Sequence, residues 1–399
     1  MRDWTRSEII GLITLVVAIL ACIANWIVVP GFRNFFMNRG FWVNSLPFVL
    51  PFIAVGLITT IIVRHYQDPH STKSNSATSN DKEHDRVEPS INTVGTQLIY
   101  AGPDKIIIWT TIKLIDRSGK ERYLKNLTAD NFTITESFSE EMHRASIVKI
   151  NSANVPVKAI LVIDKSGSMT EPSGVIQSAK IEVAKNAVTF FFNQLTSPDK
   201  NYVAVLPFSG SKVEAKDFLR NKDGEIWLNN KSKTVLEKSV NGIKAGGNTP
   251  LWQAIDLSLD QFPIMNEETY KVIICLSDGI DNASSVTFES LLNKAKEKQI
   301  PIFTVGYGSE GQLKSQELIQ LSSVSGAGRE NAGSFIRVPP EDWSERLGSI
   351  GTGITNLYEV YWRPTGAIPG TRVTVQIDVT YELDGEILRT REQRYYVLP

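Results

Sequence analysis

The sequence predicts an α/β fold, a doubly wound and mostly parallel Rossmann-like sheet, flanked by segments typical of a β-sandwich. Between residues 157 and 355, short apolar runs rich in β-branched residues alternate with helical patterns, which indicates a parallel sheet with helices on both faces. On either side, 94–156 and 356–399 consist of short strand-like runs separated by turn residues, and together they have the size of one sandwich. Residues 1–66 differ from both, because they contain two long uncharged apolar runs.

The individual elements follow from these patterns. In the central part, strands are predicted at 157–163, 202–207, 271–276, 301–305 and 334–338. Helices are predicted there at about 175–195, 234–244, 250–262, 287–298, 312–325 and 341–355. In the flanking segments, strands are predicted at 97–100, 105–115, 132–135, 372–381 and 387–397.

The two apolar runs at the amino terminus predict two transmembrane helices, at 9–29 and 46–63. The first contains 21 residues without a charge, and at 1.5 Å per residue it would span roughly 31 Å, the thickness of a bilayer core. A cleavable signal peptide or a lipoprotein site at 19–22 is the alternative. It is disfavoured because the run continues to Val29 and a second run follows. The polar, Ser/Asn-rich stretch 67–93 is predicted to be a flexible tether.

Charge indicates the location and limits the partners. Two basic residues lie in the loop between the spans, and five lie in the outer flanks: Arg2, Arg6, Arg64, Lys73 and Lys82. This bias favours an integral membrane protein whose soluble part is cytoplasmic, with an extracytoplasmic domain as the alternative. Lys and Arg total 42 against 43 Asp and Glu, a net charge of -1, which argues against a nucleic-acid partner.

Three fragments of the central part place polar residues where strands should end: 164–168, 246–251 and 276–282. If 157–163 is the first strand and 271–276 the fourth, these two strands flank the point where the strand order reverses, which is where such sheets bind ligands. Asp164 and Asp278 would then face each other across the crevice, and Thr249 would arrive from the loop between them.

This set of side chains suits a hard divalent cation. Mg²⁺ takes six oxygen ligands and keeps several waters. Ser166 and Ser168 lie on alternate residues of a glycine-containing turn and can point to one centre. Neutral hydroxyls would leave the ion electrophilic, with a position open to a carboxylate from outside. The alternatives are a salt bridge from Lys165 to Asp164, or a turn that caps the following helix.

Residues 157–355 resemble a von Willebrand factor A domain. Asp164-Lys-Ser166-Gly-Ser168 is similar to the D-x-S-x-S string of that family's metal-ion-dependent adhesion site, and Thr249 and Asp278 match its separate threonine and aspartate. The resemblance implies Mg²⁺, or Mn²⁺ or Ca²⁺, ligated directly by both serines. It implies that the threonine binds in some conformational states and that the aspartates act through water. An Asp or Glu of a protein partner would complete the shell. The string at 126–136, NLTADNFTITE, also resembles the flanks of bacterial membrane-linked members.

The predicted function is therefore membrane-anchored, divalent-cation-dependent protein–protein binding, without enzymatic activity. One alternative is a structural or assembly scaffold whose metal site is idle. The other is a metal-dependent hydrolase that uses Asp164 as nucleophile or base. It is disfavoured because residues 157–355 contain no histidine, which excludes a Ser-His-Asp or Cys-His arrangement built within them.

Overall fold

The computed structural model describes residues 87–399 except 139, 153, 173–177, 197–199, 263–267, 307–314, 329–334 and 367. The two predicted membrane spans and most of the predicted tether lie outside these residues. None of the helices in the described part of the chain has the length and hydropathy needed to cross a bilayer.

The strands of the described residues, numbered along the chain, are β1 Ser90–Gly102, β2 Lys105–Ile115, β3 Glu121–Tyr123, β4 Phe132–Phe138, β5 Glu141–Ala145, β6 Ile147–Ser152, β7 Val157–Asp164, β8 Tyr202–Phe208, β9 Tyr270–Ser277, β10 Ile302–Gly306, β11 Phe335–Arg337, β12 Tyr358–Trp362, β13 Arg372–Leu383 and β14 Glu386–Val397. The α-helices are α1 Lys180–Leu195, α2 Lys233–Asn241, α3 Leu251–Asp260, α4 Phe288–Lys298, α5 Ser315–Ser325 and α6 Trp343–Thr355.

The central sheet has the order β8-β7-β9-β10-β11, and each of these pairings is parallel. The strand order reverses between β7 and β9, so the prediction that these strands are neighbours is confirmed. However, β9 is the third strand of the sheet along the chain and not the fourth. Successive residues of β7 pack into different hydrophobic clusters, Leu161 on one face and Val162 on the other. Burial on both faces explains the continuous apolar run.

The two flanking segments form two antiparallel sheets, one ordered β1-β2-β12-β6 with β3 beside β2, the other β14-β13-β4-β5. The inner faces of both sheets contribute to one hydrophobic cluster. Glu136 of one sheet is buried between them, where it accepts hydrogen bonds from Trp362 Nε1 of the other sheet at 2.7 Å and from Tyr396 Oη at 2.9 Å. These donors satisfy a buried carboxylate that would otherwise be costly.

Strand β1 begins at Ser90, inside the range predicted as tether, because Ile91 and Val94 are buried and pair with β2. It also connects the flanking sheets to the α/β part. Tyr270 Oη donates to the carbonyl oxygen of Gly95 at 2.8 Å, and Lys271 N donates to Gln97 Oε1 at 2.9 Å. The start of β9 is therefore held by β1.

Helix α6 contacts both parts of the protein. Tyr123 Oη donates to the carbonyl oxygen of Ser349 at 3.0 Å, and Thr111 Oγ1 donates to that of Gly353 at 2.9 Å. On the side of α1, Gln194 Nε2 donates to the carbonyl oxygen of Gly348 at 3.2 Å. The small residues of α6 allow these close approaches.

Two alanine substitutions in α6 test this packing. A Cβ on Gly353 would lie 2.9 Å from Tyr123 Oη and 3.0 Å from Tyr123 Cζ, whereas a Cβ on Gly348 would meet Phe190, whose side chain is 51% exposed and can turn away. Both changes raise helix propensity by about 1 kcal/mol. We expect Gly353→Ala to lower the free energy of unfolding by about 1–3 kcal/mol and Gly348→Ala to leave it unchanged or raise it, measured by urea denaturation. Equal effects would show that Tyr123 does not constrain α6.

Candidate metal centre

The carboxyl end of β7 turns sharply into a short 3-10 segment, Gly167–Thr170. Asp164 is fully buried at the end of the strand, and its Oδ1 accepts a hydrogen bond from Ser166 N at 2.7 Å. The hydroxyls of Ser166 and Ser168 lie 3.1 Å apart. The turn therefore points both hydroxyls in one direction, as the alternate spacing predicts.

The end of β9 is bonded to the same turn. Ser277 Oγ, on the last residue of β9, donates to Asp164 Oδ2 at 2.6 Å. Ser168 Oγ donates to Asp278 Oδ1 at 2.7 Å. Each aspartate is thus held by a serine of the neighbouring strand end or turn, and the two carboxylates lie on the two sides of the reversal point.

Thr249 reaches the site because its loop is hydrogen-bonded to the turn. Gly167 N donates to the carbonyl oxygen of Gly247 at 2.9 Å. Asn282 Oδ1 accepts from Thr249 N at 2.8 Å. A Cβ placed on Gly279 would lie 3.5 Å from Thr249 Oγ1 and 4.0 Å from Asp164 Oδ2, so both oxygens border the same small space. The structure therefore brings all five predicted residues together.

The geometry and chemistry of these donors fit a hard divalent ion. In an octahedral site with oxygen ligands at about 2.1 Å, adjacent ligands are about 3.0 Å apart, close to the 3.1 Å that separates the two serine hydroxyls. Among the described residues, no group of three or more His, Cys, Asp or Glu side chains is placed to hold a metal. A donor set of hydroxyls and two carboxylates suits a hard ion such as Mg²⁺ better than Zn²⁺, which prefers sulfur and nitrogen ligands.

Sequence reasoning missed a cation in the site. Lys180 Nζ, in the first turn of α1, lies 2.7 Å from Asp278 Oδ2 and 3.0 Å from Glu171 Oε2. The alternative counter-ion, Lys165, instead lines a groove with Ser209 and Lys244. Because the helix was predicted to begin at about 175, Lys180 looked like an ordinary helical charge. Ser277 and Asn282, which position Asp164 and Thr249, were also missed, since nothing in their spacing marks them.

Burial raises the pKa of Asp164 to about 6, against hydrogen bonds from Ser277 and Ser166 that lower it, and the nearby Asp278 charge raises it further. Because the pKa in the folded state exceeds that in the unfolded state, the group stabilises the metal-free protein fully below about pH 3.8, and this contribution is lost as the pH rises through about 6.

The pH dependence gives a testable prediction for the metal-free protein. We expect Asp164→Asn to stabilise the fold at pH 7.5, where the buried charge is costly, and to have a smaller effect at pH 5, where the native carboxyl is protonated. Urea denaturation in the presence of a chelator at both pH values measures the difference. The same effect at the two pH values would show that Asp164 titrates in its ordinary range.

Residues 160–343 match the family model of the von Willebrand factor type A domain. No curated protein matches the chain.

Three solved structures illustrate the similarity. A von Willebrand factor type A protein from Catenulispora acidiphila is 13% identical over 81% of this chain and 76% of its own, with a TM-score of 0.38. The conserved hypothetical protein BatB from Bacteroides thetaiotaomicron is 19% identical over 50% and 97%, with a TM-score of 0.35. The domain of the type V pili tip protein Mfa5 from Porphyromonas gingivalis is 14% identical over 51% and 96%, with a TM-score of 0.35.

Proposed function

We propose that this protein binds a protein partner through a divalent cation. The proposal starts from the von Willebrand factor type A domain that residues 160–343 match. Mg²⁺ is the preferred ion, with Mn²⁺ and Ca²⁺ as substitutes. The residues that would hold it are Asp164, Ser166, Ser168, Thr249 and Asp278. The observation that carries this proposal is the meeting of three hydroxyls and two buried carboxylates at the reversal point of the sheet.

The hydrogen bonds that the carboxylate oxygens already make favour an external ligand for the proposed ion. Asp164 receives hydrogen bonds on both oxygens, from Ser166 N and Ser277 Oγ. Asp278 receives them from Ser168 Oγ and Lys180 Nζ. The hydroxyl oxygens of Ser166 and Ser168 also make hydrogen bonds, but each keeps a lone pair for an ion. As neutral ligands, they neutralise none of the ion's charge. A carboxylate of a partner, reaching the site past the half-buried Ser168, would supply that charge.

Binding is a better account of these residues than catalysis. Residues 157–355 contain no histidine that could serve as a general base. The thiol of Cys275 is fully buried, and burial raises its pKa well above the ordinary value, so it cannot act as a thiolate nucleophile. The ion would act as a bridge between two proteins.

The membrane part of the proposal rests on composition. The uncharged runs 9–29 and 46–63 would anchor the protein in a bilayer. The excess of Lys and Arg outside the pair of spans favours a cytoplasmic position of the soluble part, and an extracytoplasmic position is the alternative. Protease protection in sealed vesicles distinguishes the two.

The function is tested by adding the detergent-solubilised full-length protein to a lysate of its source cells and cross-linking it to its partners, in Mg²⁺ and in a chelator. We expect a partner that is captured only with Mg²⁺ and is lost with Ser166→Ala. The control is Ser258→Ala, which removes a buried hydroxyl of α3 that donates within its own helix to the carbonyl oxygen of Ala254. A partner captured equally in chelator and by Ser166→Ala would favour the scaffold with an idle site.

A further inference from the structure

A buried ammonium group lies beside the candidate metal centre. The side chain of Lys180 is 8% exposed, and its Nζ contacts Asp278 Oδ2 at 2.7 Å, Glu171 Oε2 at 3.0 Å and the carbonyl oxygen of Ser168 at 3.4 Å. Asp278 is itself almost completely buried, with a side-chain exposure of 1%. This is an ion pair inside the site, not a surface contact.

The pair changes the charge that a metal ion meets. Asp164 and Asp278 together contribute two negative charges, and Lys180 returns one positive charge to the same space. Asp278 uses Oδ2 for the ammonium and Oδ1 for the hydroxyl of Ser168, which is a predicted ligand. The same carboxylate therefore serves both the fixed cation and the metal centre. At these short separations and in a partly buried environment, charges interact by several times more than they do in water.

We propose that Lys180 is a built-in cation that sets the metal affinity and makes it depend on the partner. Without metal, Lys180 holds Asp278 in place, so that the ligand set persists. With metal, its charge opposes the ion, so the ion binds weakly alone and firmly when an anionic carboxylate joins it. This inference rests on the proposed function and adds a regulation of the same site.

The charge balance gives the direction of each effect. The count includes the buried groups Asp164, Asp278 and Lys180 and leaves out Glu171, because its side chain is 65% exposed and solvent screens its charge. The metal-free centre then has one net negative charge, and a divalent ion converts this to one net positive charge, which attracts a carboxylate. With a neutral residue at 180, the metal-free centre has two net negative charges and the loaded centre is neutral. The ion then binds more tightly than in the protein with Lys180, and a carboxylate increases the affinity for the ion by a smaller factor.

The experiment is a titration of Mn²⁺ into the metal-free full-length protein in detergent, followed by electron paramagnetic resonance of free Mn²⁺, with and without acetate. We expect Lys180→Met to bind Mn²⁺ at least about tenfold more tightly than the unmodified protein, and acetate to improve its affinity less. The matched control is Lys185→Met. Lys185 lies in the same helix, is equally buried at 7% exposure and pairs with Glu182 at 2.7 Å, so its Mn²⁺ affinity should change less than twofold.

Two further variants keep the test decisive if Lys180→Met does not fold. Lys180→Gln retains a hydrogen-bond donor for Asp278 but loses the charge, and we expect the same tightening. Lys180→Arg retains the charge, and its affinity should stay within about threefold of the unmodified protein. A folded Lys180→Gln variant with unchanged or weaker Mn²⁺ binding overturns the role of Lys180 while leaving the metal centre intact. Absence of Mn²⁺ binding in the unmodified protein itself overturns the metal centre and the inference together.

Discussion

Replacing Asp278 by alanine is expected to lower the free energy of unfolding of the metal-free protein by about 3–5 kcal/mol. The substitution removes the buried carboxylate that lies 2.7 Å from the ammonium of Lys180, while the other recorded acidic contact, Glu171, has a side chain that is 65% exposed. It also removes the acceptor of the Ser168 hydroxyl. Removing one partner of a buried ion pair lowers the free energy of unfolding by more than the pair contributed to it. The charge that remains is still buried, and the lost contact no longer offsets its desolvation.

An exposed ion pair of the same kind provides the control. Asp260 lies 2.8 Å from Lys294, with its side chain 53% exposed. Since solvent screens such a pair, Asp260→Ala should cost no more than about 1 kcal/mol. Chemical denaturation of both variants in a chelator makes the comparison. A loss at Asp278 as small as that at Asp260 would mean that the Lys180–Asp278 contact is not a buried ion pair in solution.

Replacing Ser166 by alanine is expected to weaken divalent-ion binding at least about 100-fold, since the variant loses a proposed direct ligand, whereas loss of a residue that only orients a ligand typically costs 10–100-fold. Its effect on stability should be small, because the Ser166 backbone N–H that bonds Asp164 remains. Ser277→Ala should weaken divalent-ion binding by about 10-fold to 100-fold, because Ser277 would act on the ion only through Asp164.

The graded series is measured by calorimetric titration of Mg²⁺ and Mn²⁺ up to millimolar concentration, with and without acetate. Ser258→Ala, whose hydroxyl bonds within α3, should bind as the unmodified protein does. If Ser166→Ala and Ser277→Ala also bind normally, the ion is held elsewhere and the assignment of these residues is wrong.

The central sheet could be predicted because burial on both faces leaves a recognisable pattern in the sequence of each strand. A strand buried on both faces must be apolar throughout, so β7 and β9 appear as continuous runs that end on polar residues. That β7 and β9 are neighbours then follows from the rules of doubly wound sheets. It also follows that Asp164 and Asp278 lie close together at one edge of the sheet.

Two edge strands of the flanking sheets, β5 and β6, could not be predicted in this way. Both β5, EMHRA, and β6, IVKINS, lie at the edge of a sheet and expose several of their side chains. Edge strands often carry polar and charged residues, so their sequences lack a recognisable apolar pattern. Strand β1 was predicted to start too late for a related reason, since its first residues lie in a polar stretch and the buried apolar residues before Leu98 are Ile91 and Val94 alone.

At the site, the ligand candidates could be predicted but the residues that hold them could not. The hydroxyl and carboxylate positions form a spaced pattern, whereas Lys180, Ser277 and Asn282 act through tertiary contacts. Ser277 reads as the last residue of a strand and Lys180 as one charge in a helix. Only the folded chain shows that Lys180 donates to Asp278 and that Ser277 donates to Asp164.

The central claim, that these residues hold a divalent ion, is tested most directly by anomalous diffraction from crystals of the protein grown with millimolar Mn²⁺. The account predicts one anomalous peak within ligand distance of the hydroxyls of Ser166 and Ser168, at the edge of the sheet between β7 and β9. A well-ordered site with no peak there, or with the ammonium of Lys180 and water filling that position at saturating Mn²⁺, would contradict it.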